Sequence, residues 1–522
     1  MLKQWLLGTK ILPLALLVYL AGRVGFYIVE SFRWPMDGDL TFLYYIAWLM
    51  NDQHYVPYRD VHETSFFGTF IFYSTLTKII GYSALAFHWF DLFFWSVLST
   101  VTFFLLLPLG IFCALIAILL FGEFYYSMGI GVHLQRDFIA LLPAAVALLI
   151  LRQNRFSPPL QSLLGGFLFG VASCIKPQFA AGIIVTTLYI AVPLLRRDKH
   201  WQHALRASLC SGIGFILAWL LGISWLLYHG ILDRFIDMAV NYLPAYSSIN
   251  GRNYARASTE AWSAAFQWTS GNVIPWLFPI ALGFMVLRRR HDLKDINSWF
   301  LLPFFFWLLY LVYVPMAGKY WGYHILPSYY FLSILLALAL ASSTFEKKPA
   351  LHLLVFSLWF VFIYLAVLKS SWLPSINVNY RQTDQIEKNT AELTEFLRGK
   401  LQPGDTIQPH VTHTRGPIFP AMLEIRAIPA TPYLENYLLY HDVNSEFVQN
   451  ARTVFMRRLQ EHPPRFVIKT PSMYFFDGDN TEVVFKEFEH WLDENYQIVL
   501  SSTVSGKQSP MEKYIVYERR PR

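Results

Sequence analysis

The chain has 522 residues, of which 55% are hydrophobic, 17% aromatic and only 15% charged. So few charges cannot solvate the surface of a soluble globular protein of this size, so the composition predicts a polytopic membrane protein. The formal net charge of +7 is concentrated in short basic clusters between apolar runs. Such clusters set membrane topology, and they exclude nucleic acid as the expected partner.

A loop rich in carboxylates and aromatics follows the first apolar run, between residues 34 and 73. Charges at a membrane surface cost free energy unless they are used or paired, so this loop is the main candidate for a functional site. Within it, residues 40–50 predict a short helix lying in the membrane interface. The aromatic residues expected at headgroup level are Tyr44, Tyr45 and Trp48.

Two aspartates, Asp37 and Asp39, come directly after the first predicted span. A carboxylate there can take a proton from a sugar hydroxyl, and the pair can also hold a divalent cation such as Mg²⁺ or Mn²⁺. The alternative is a solvated loop in which the aspartates cap a helix. Arg59 and Asp60, just before the next apolar run, are candidate substrate-binding residues. No cofactor is certain from the sequence.

About 11–12 membrane spans are expected, because a helix needs about 20 apolar residues to cross the bilayer. The candidate segments are 11–30, 65–81, 85–107, 109–127, 138–152, 163–176, 179–195, 207–229, 273–287, 298–316, 325–343 and 350–369. Basic loops alternate with these segments and place the amino terminus in the cytoplasm and the carboxyl end outside. The loops before residue 65 and after residue 127 are both expected outside, so the three segments between them cannot all cross. We therefore expect 109–127 to be re-entrant or two half-helices.

The composition changes near residue 371, where charges become frequent and apolar runs short. We therefore predict a transmembrane domain over 1–370 and an extracytoplasmic domain over 371–522. In the latter, helices alternate with strands, which predicts a small α/β domain. The expected helices are 386–401, 447–459 and 484–494, and the expected strands begin near 405, 465, 496 and 514.

Further candidate substrate-binding residues lie at the predicted outer ends of later spans. They are Arg136, Asp137, Lys176, Lys319, Tyr320 and His324. Cations and donors at this interface can stabilise the charge that develops on a departing lipid phosphate. The alternatives are a local ion pair for Arg136 and Asp137, snorkelling for Lys176, and an aromatic belt with a snorkelling lysine around Lys319.

Two further segments carry weaker signals. His410 and His413 have a spacing seen among metal ligands, but no third ligand is evident, so surface histidines are expected. The connection 230–272 is long for a structureless loop, and substrate binding and a solvated interhelical loop are both open for it.

The order of these features resembles the first outer loop of GT-C glycosyltransferases, especially bacterial relatives of dolichyl-phosphate-mannose protein mannosyltransferases. The resemblance rests on the acidic residues at 37–39, the aromatic helix, PYRD at 57–60, and GKYWGYHILPSYY at 318–330. Many relatives carry consecutive prolines where this chain has Phe66 and Phe67, so no subfamily is assigned.

This resemblance implies a GT-C-like fold and an inverting transferase in the bacterial inner membrane. The donor would be a polyprenyl-phosphate-linked sugar, and the acceptor a glycan, lipid or protein on the outer face. Asp39 aligns with the family's base aspartate, with Asp37 as second choice, and Arg136-Asp137 resembles a second outer acidic position. The alternative is a transporter or flippase of lipid-linked glycans, which predicts broken helices in two matched halves.

Overall fold

The computed structural model describes residues 2–36, 38–153, 155–198, 201–247, 296–317, 322–343, 372–411, 414–470, 485–502 and 513–521. The predicted spans at 273–287 and 350–369 lie outside these residues. The chain forms two compact units, each assembled from three segments. Unit 1 comprises Met1–Arg33, His88–Gly222 and Ala255–Ser375, and unit 2 comprises Trp34–Phe87, Ile223–Tyr254 and Ile376–Arg522. The division at residue 370 stays a prediction.

Helices make up most of the described chain and are numbered in chain order. They are α1 (Leu2–Ser31), α2 (Asp39–Asp52), α3 (Phe67–Ile80), α4 (Ala84–Leu106), α5 (Ile111–Ser127), α6 (Arg136–Leu151), α7 (Pro158–Ile175), α8 (Gly182–Asp198), α9 (Trp201–Tyr228), α10 (Leu232–Asp237), α11 (Leu243–Ser247), α12 (Ile296–Ala317), α13 (Leu326–Ser343), α14 (Trp372–Lys400), α15 (Ile418–Glu424), α16 (Glu446–Glu461) and α17 (Lys486–Asn495). Within the described ranges, six helical segments are long and apolar enough to cross a membrane. The protein is an integral membrane protein.

The helix α5 runs without a break through Gly122 and Glu123, so the expectation of two half-helices is wrong, and the re-entrant alternative stays a prediction. The helices α3, with 14 residues, and α5, with 17, are both apolar but shorter than the candidate spans. The helix α3 packs along α2 inside unit 2, where the rings of Tyr44 and Tyr73 lie 6.0 Å apart. The predicted alternation of sides closes if α3 does not cross the membrane.

Unit 1 contains a buried ion pair between α1 and α5. The guanidinium of Arg23 donates to the Glu123 carboxylate, and both side chains are almost fully buried. Close backbone packing joins α7 to α9, where a Cβ on Gly170 would stand 2.6 Å from the Cβ of Ala218 and 2.9 Å from the oxygen of Phe215. Small residues of this kind let helices in a membrane approach closely.

In unit 2, the helix α2 is buried all round and does not lie as an amphipathic helix in an interface. Every residue from Leu40 to Leu49 is buried, and Tyr44, Tyr45 and Trp48 are at most 2% exposed. The hydroxyl of Tyr45 donates to the carbonyl oxygen of Ala427 at 2.7 Å. The expectation of headgroup-level aromatics is therefore wrong, because the carboxyl-terminal segment of unit 2 covers this helix.

The carboxyl-terminal segment contains the predicted small α/β fold. Its strands are β1 (Thr406–His410), β2 (Ile428–Pro429), β3 (Phe466–Lys469), β4 (Tyr496–Ser501) and β5 (Ile515–Arg519). They form one sheet in the order β2-β1-β3-β5-β4, in which β1 pairs in parallel with β2 and β3, and β5 pairs antiparallel with β3 and β4. The helices flanking the sheet confirm the predicted alternation. Residues 232–247, expected as loop, are helical.

His410 is a core residue and not a surface histidine. It is 0% exposed, stacks on the ring of Phe488 at 4.1 Å, and shares hydrogen bonds of 2.7 Å with Tyr440 and Asn436. His413 lies outside the described residues. Burial of the imidazole, with the charge of Lys469 as a smaller cause, holds the pKa of His410 well below 6.5.

Candidate functional site

A buried charge cluster of unit 1 is centred on Asp137, in the first turn of α6. The Lys176 ammonium lies 3.0 Å from its Oδ2, and the His324 Nδ1 lies 3.4 Å from the same oxygen. Gln178 donates through Nε2 to the other oxygen at 2.9 Å. Asp137 is 0% exposed, so its ion pairs are buried, unlike the local pair with Arg136 that was the alternative from the sequence.

Lys176 and His324 both lie where a helix ends or begins, next to Asp137 in the first turn of α6. Lys176 follows the last residue of α7, where Pro177 prevents the helix from continuing. His324 lies in the 3₁₀ turn Gly322–Ile325 that precedes α13. The Lys176 ammonium also lies 5.5 Å from the centre of the Tyr323 ring, a favourable contact for a cation. The cluster thus holds a cation and an imidazole in a site with little water.

An electrostatic interaction is stronger where water is excluded. The side chain of Lys176 is 11% exposed and that of His324 is 4% exposed. An anion that reached this cluster would therefore meet a preoriented cation at low local dielectric, which is the arrangement that stabilises a leaving phosphate. Lys319 and Tyr320 lie outside the described residues, so their contribution stays a prediction.

In unit 2, Asp39 is the first residue of α2, directly after Gly38, whose φ of 65° favours glycine. Thr414 donates through Oγ1 to Asp39 Oδ1 at 2.7 Å. The threonine contact fixes the orientation of one carboxylate oxygen. Asp39 is partly exposed, so its carboxylate combines a held position with access from solvent.

Asp37, the second acidic candidate, lies outside the described residues. Among the residues that are described, no three His, Cys, Asp or Glu side chains come together as a metal site. A cation held by Asp37 and Asp39 stays a prediction.

Arg59 and Asp60 lie in a tight turn of the same unit. Val56 donates its N–H to Asp60 Oδ2 at 2.8 Å, and Arg59 pairs with the same carboxylate at 2.9 Å. Tyr58 has a φ of 66°, and its hydroxyl donates to the carbonyl oxygen of Ser65 at 2.6 Å. The hydrogen bond to Asp60 raises the pKa of Arg59, so this half-exposed guanidinium stays charged.

The sequence did not point to a second buried network in unit 1. The Asp91 carboxylate accepts a hydrogen bond from Tyr125, and its other oxygen lies 3.0 Å from His133 Nδ1. The N–H of Leu134 donates to the Tyr125 oxygen at 2.9 Å. This network fixes the turn that leads into α6 and Asp137. A carboxylate inside an apolar span, Asp91, was the signal for it.

A scan against protein-family models found no match, and a search of curated proteins found none either. Among solved structures, the chain is similar to ArnT from Cupriavidus metallidurans bound to undecaprenyl phosphate, with a TM-score of 0.58 and 11% identity over 97% of each chain. The apo state of the same protein matches with a TM-score of 0.57 and 12% identity, over 96% of this chain and 97% of that chain. The match confirms the polytopic fold expected from the sequence: the chain has the fold of ArnT, with a small mixed sheet in its carboxyl-terminal segment.

Proposed function

We propose that this protein is an inverting glycosyltransferase that moves a sugar from a polyprenyl-phosphate carrier to an acceptor hydroxyl. In the reaction, the acceptor oxygen bonds to the anomeric carbon while the bond from that carbon to the phosphate oxygen breaks. The hydroxyl proton passes to a carboxylate, and polyprenyl phosphate leaves. The products are the glycosylated acceptor, with inverted anomeric configuration, and the free carrier.

The observation that carries the proposal is the buried cluster of Asp137, Lys176 and His324 within this fold. The ammonium, its counter-carboxylate and the imidazole form a buried group of charges and donors whose chemistry suits a phosphate monoester or diester. The similar ArnT structure contains undecaprenyl phosphate, a lipid whose headgroup has this chemistry. We infer that Lys176 and His324 contact the donor phosphate and that Asp137 orients them.

Asp39 is the proposed general base. A base must hold its position and still reach the acceptor, and Asp39 does both through its helix position, its contact with Thr414 and its partial exposure. Arg59 is proposed to contact substrate anions, with Asp60 fixing its guanidinium. Arg136, Lys319 and Tyr320 are proposed to assist at the phosphate, and Asp37 to assist Asp39, with or without a divalent cation.

The proposed site faces the outer side of a bacterial inner membrane, because the basic loops predict that orientation. On that side, polyprenyl-phosphate sugars serve where nucleotide sugars are absent, and the acceptor is a glycan, lipid or protein of the cell envelope.

The test combines a strain and a purified protein. The deletion strain should lose one glycan modification of the envelope and accumulate the corresponding polyprenyl-phosphate sugar. In nanodiscs, the protein should release polyprenyl phosphate from the lipid pool of that strain only when deletion-strain envelope material is added as acceptor, measured by mass spectrometry. Unchanged glycans in the deletion strain, together with no release of carrier from any pool, would contradict the proposal.

A further inference from the structure

Unit 2 contains an open groove of ≈ 890 Å³ apart from the residues assigned above. One wall is a face of α14, and the opposite wall comes from the start of α2, the turn at Tyr82 and Ser83, and the end of α15. Its volume is that of a small-molecule site, for which about 300–1,000 Å³ is typical.

The α14 face is built by helical spacing. Glu387, Ala391, Thr394, Glu395 and Arg398 recur every three or four residues and line the groove. Leu393 and Leu397 point away into the core and are 0% exposed. The polar face of α14 therefore lines the groove, while its apolar face packs in the core.

Two hydroxyls in the lining lack a partner. Thr41 on α2 and Thr394 on α14 are each 2% exposed, and in the described part of the chain neither Oγ1 makes a hydrogen bond. Burying a hydroxyl without a partner costs free energy.

The charges of the lining favour one class of ligand. Glu387, Glu395 and Glu424 are present with Arg398 and Arg426. Arg398 already pairs with Glu424 at 2.9 Å, and the Arg426 guanidinium lies 4.5 Å from the centre of the Tyr82 ring. With three glutamates and two arginines, the lining carries one more carboxylate than guanidinium, which disfavours phosphates and other anions.

We propose that this groove binds an uncharged saccharide chain, the glycan part of the acceptor. Threonine hydroxyls and carboxylates suit sugar hydroxyls, and Pro35, Met36, Pro420 and Leu423 offer apolar contact to the C–H faces of sugar rings. The groove meets α2 at Thr41, in the same helical turn as Asp39, and the two side chains leave different sides of that helix. That the saccharide is the acceptor rests on the proposed function, whereas saccharide binding in the groove does not.

The test measures binding to the full-length protein in nanodiscs without donor. The probes are maltotriose and an N-acetylglucosamine trimer, both neutral, with inorganic phosphate as the anionic comparison. Ala391→Trp fills the groove from an exposed helix position and should weaken saccharide binding by about tenfold or more. Lys388→Trp, on the same helix but outside the lining, should bind as the wild type does, and Thr394→Val should weaken binding without loss of fold.

The inference is overturned if neither trimer binds, if Ala391→Trp and wild type bind equally, or if phosphate competes for the groove. Binding is also measured on Asp39→Asn, which should bind saccharide normally. Saccharide binding without any sugar transfer would refute the proposed function but not the saccharide site. Transfer without saccharide binding would refute only the saccharide site.

Discussion

Asp137 is a fully buried carboxylate balanced by Lys176 and His324. Removing one partner of a buried pair leaves an uncompensated charge and costs about 3–5 kcal/mol. We therefore expect Lys176→Gln to lower both the Tm and donor use. The double variant Lys176→Gln/Asp137→Asn should recover much of the Tm but none of the transfer. Thermal unfolding and carrier release measure the two effects, and normal transfer by Lys176→Gln would make this lysine purely structural.

His410 links stability to pH. Because its pKa in the folded protein lies well below 6.5, the unfolded chain binds more protons as the pH falls below about 6.5. The free energy of unfolding should therefore decrease from pH 7 towards pH 5. His410→Gln should flatten this slope. Denaturant titrations of the two proteins at each pH provide the measurement, and equal slopes would contradict the assignment.

Residue types at membrane rims were predictable, but their partners were not. Asp39, Asp137, Lys176 and His324 were each expected from charge next to an apolar run. Thr414 lies 375 positions after Asp39, and no local pattern connects them. Packing of several elements creates these contacts, so a single sequence gives the candidates and the structure gives the groups they form.

At the level of helices, the contact of α7 with α9 depends on glycine. A Cβ at Gly166 would overlap the backbone oxygen of Ser211, whereas a Cβ at Gly212, also helical, would meet nothing within 4 Å. We expect Gly166→Ala to lower the Tm or the folded yield. Gly212→Ala should be neutral or slightly stabilising, because alanine favours helix by about 1 kcal/mol over glycine. Equal melting of the two variants would show that the helices separate easily.

Helix positions followed from apolar periodicity, and most were predicted to within a few residues. Burial of the helices was harder to predict. The pattern of α2 is compatible with an interfacial helix, yet α15 packs on it through Phe419, 4.8 Å from the Phe42 ring. Only the fold reveals that covering helix, since α15 has 7 residues and too short a pattern to be predicted.

At the scale of the whole chain, the side of each loop is the testable property. In a cysteine-free background, Cys introduced at His54, Ser83 and Asn450 should be labelled from outside, and Cys at Arg197 from inside. His54 and Ser83 flank α3, so equal labelling shows that α3 does not cross. Labelling of Ser83 from the same side as Arg197 would restore α3 as a span and require another segment to be re-entrant.

The chain shares the fold of ArnT at 11% identity. The order of apolar and polar segments and the composition were enough to predict this fold, whereas no family model matched the sequence.

The chemistry is tested most directly at Asp39. Asp39→Asn keeps the volume and removes the proton acceptor, so transfer should fall by about two or more orders of magnitude with Tm and saccharide binding intact. Asp37→Asn should cost less, and Asp52→Asn, at the exposed end of the same helix, should transfer normally. Full transfer by Asp39→Asn in purified nanodiscs would contradict the account.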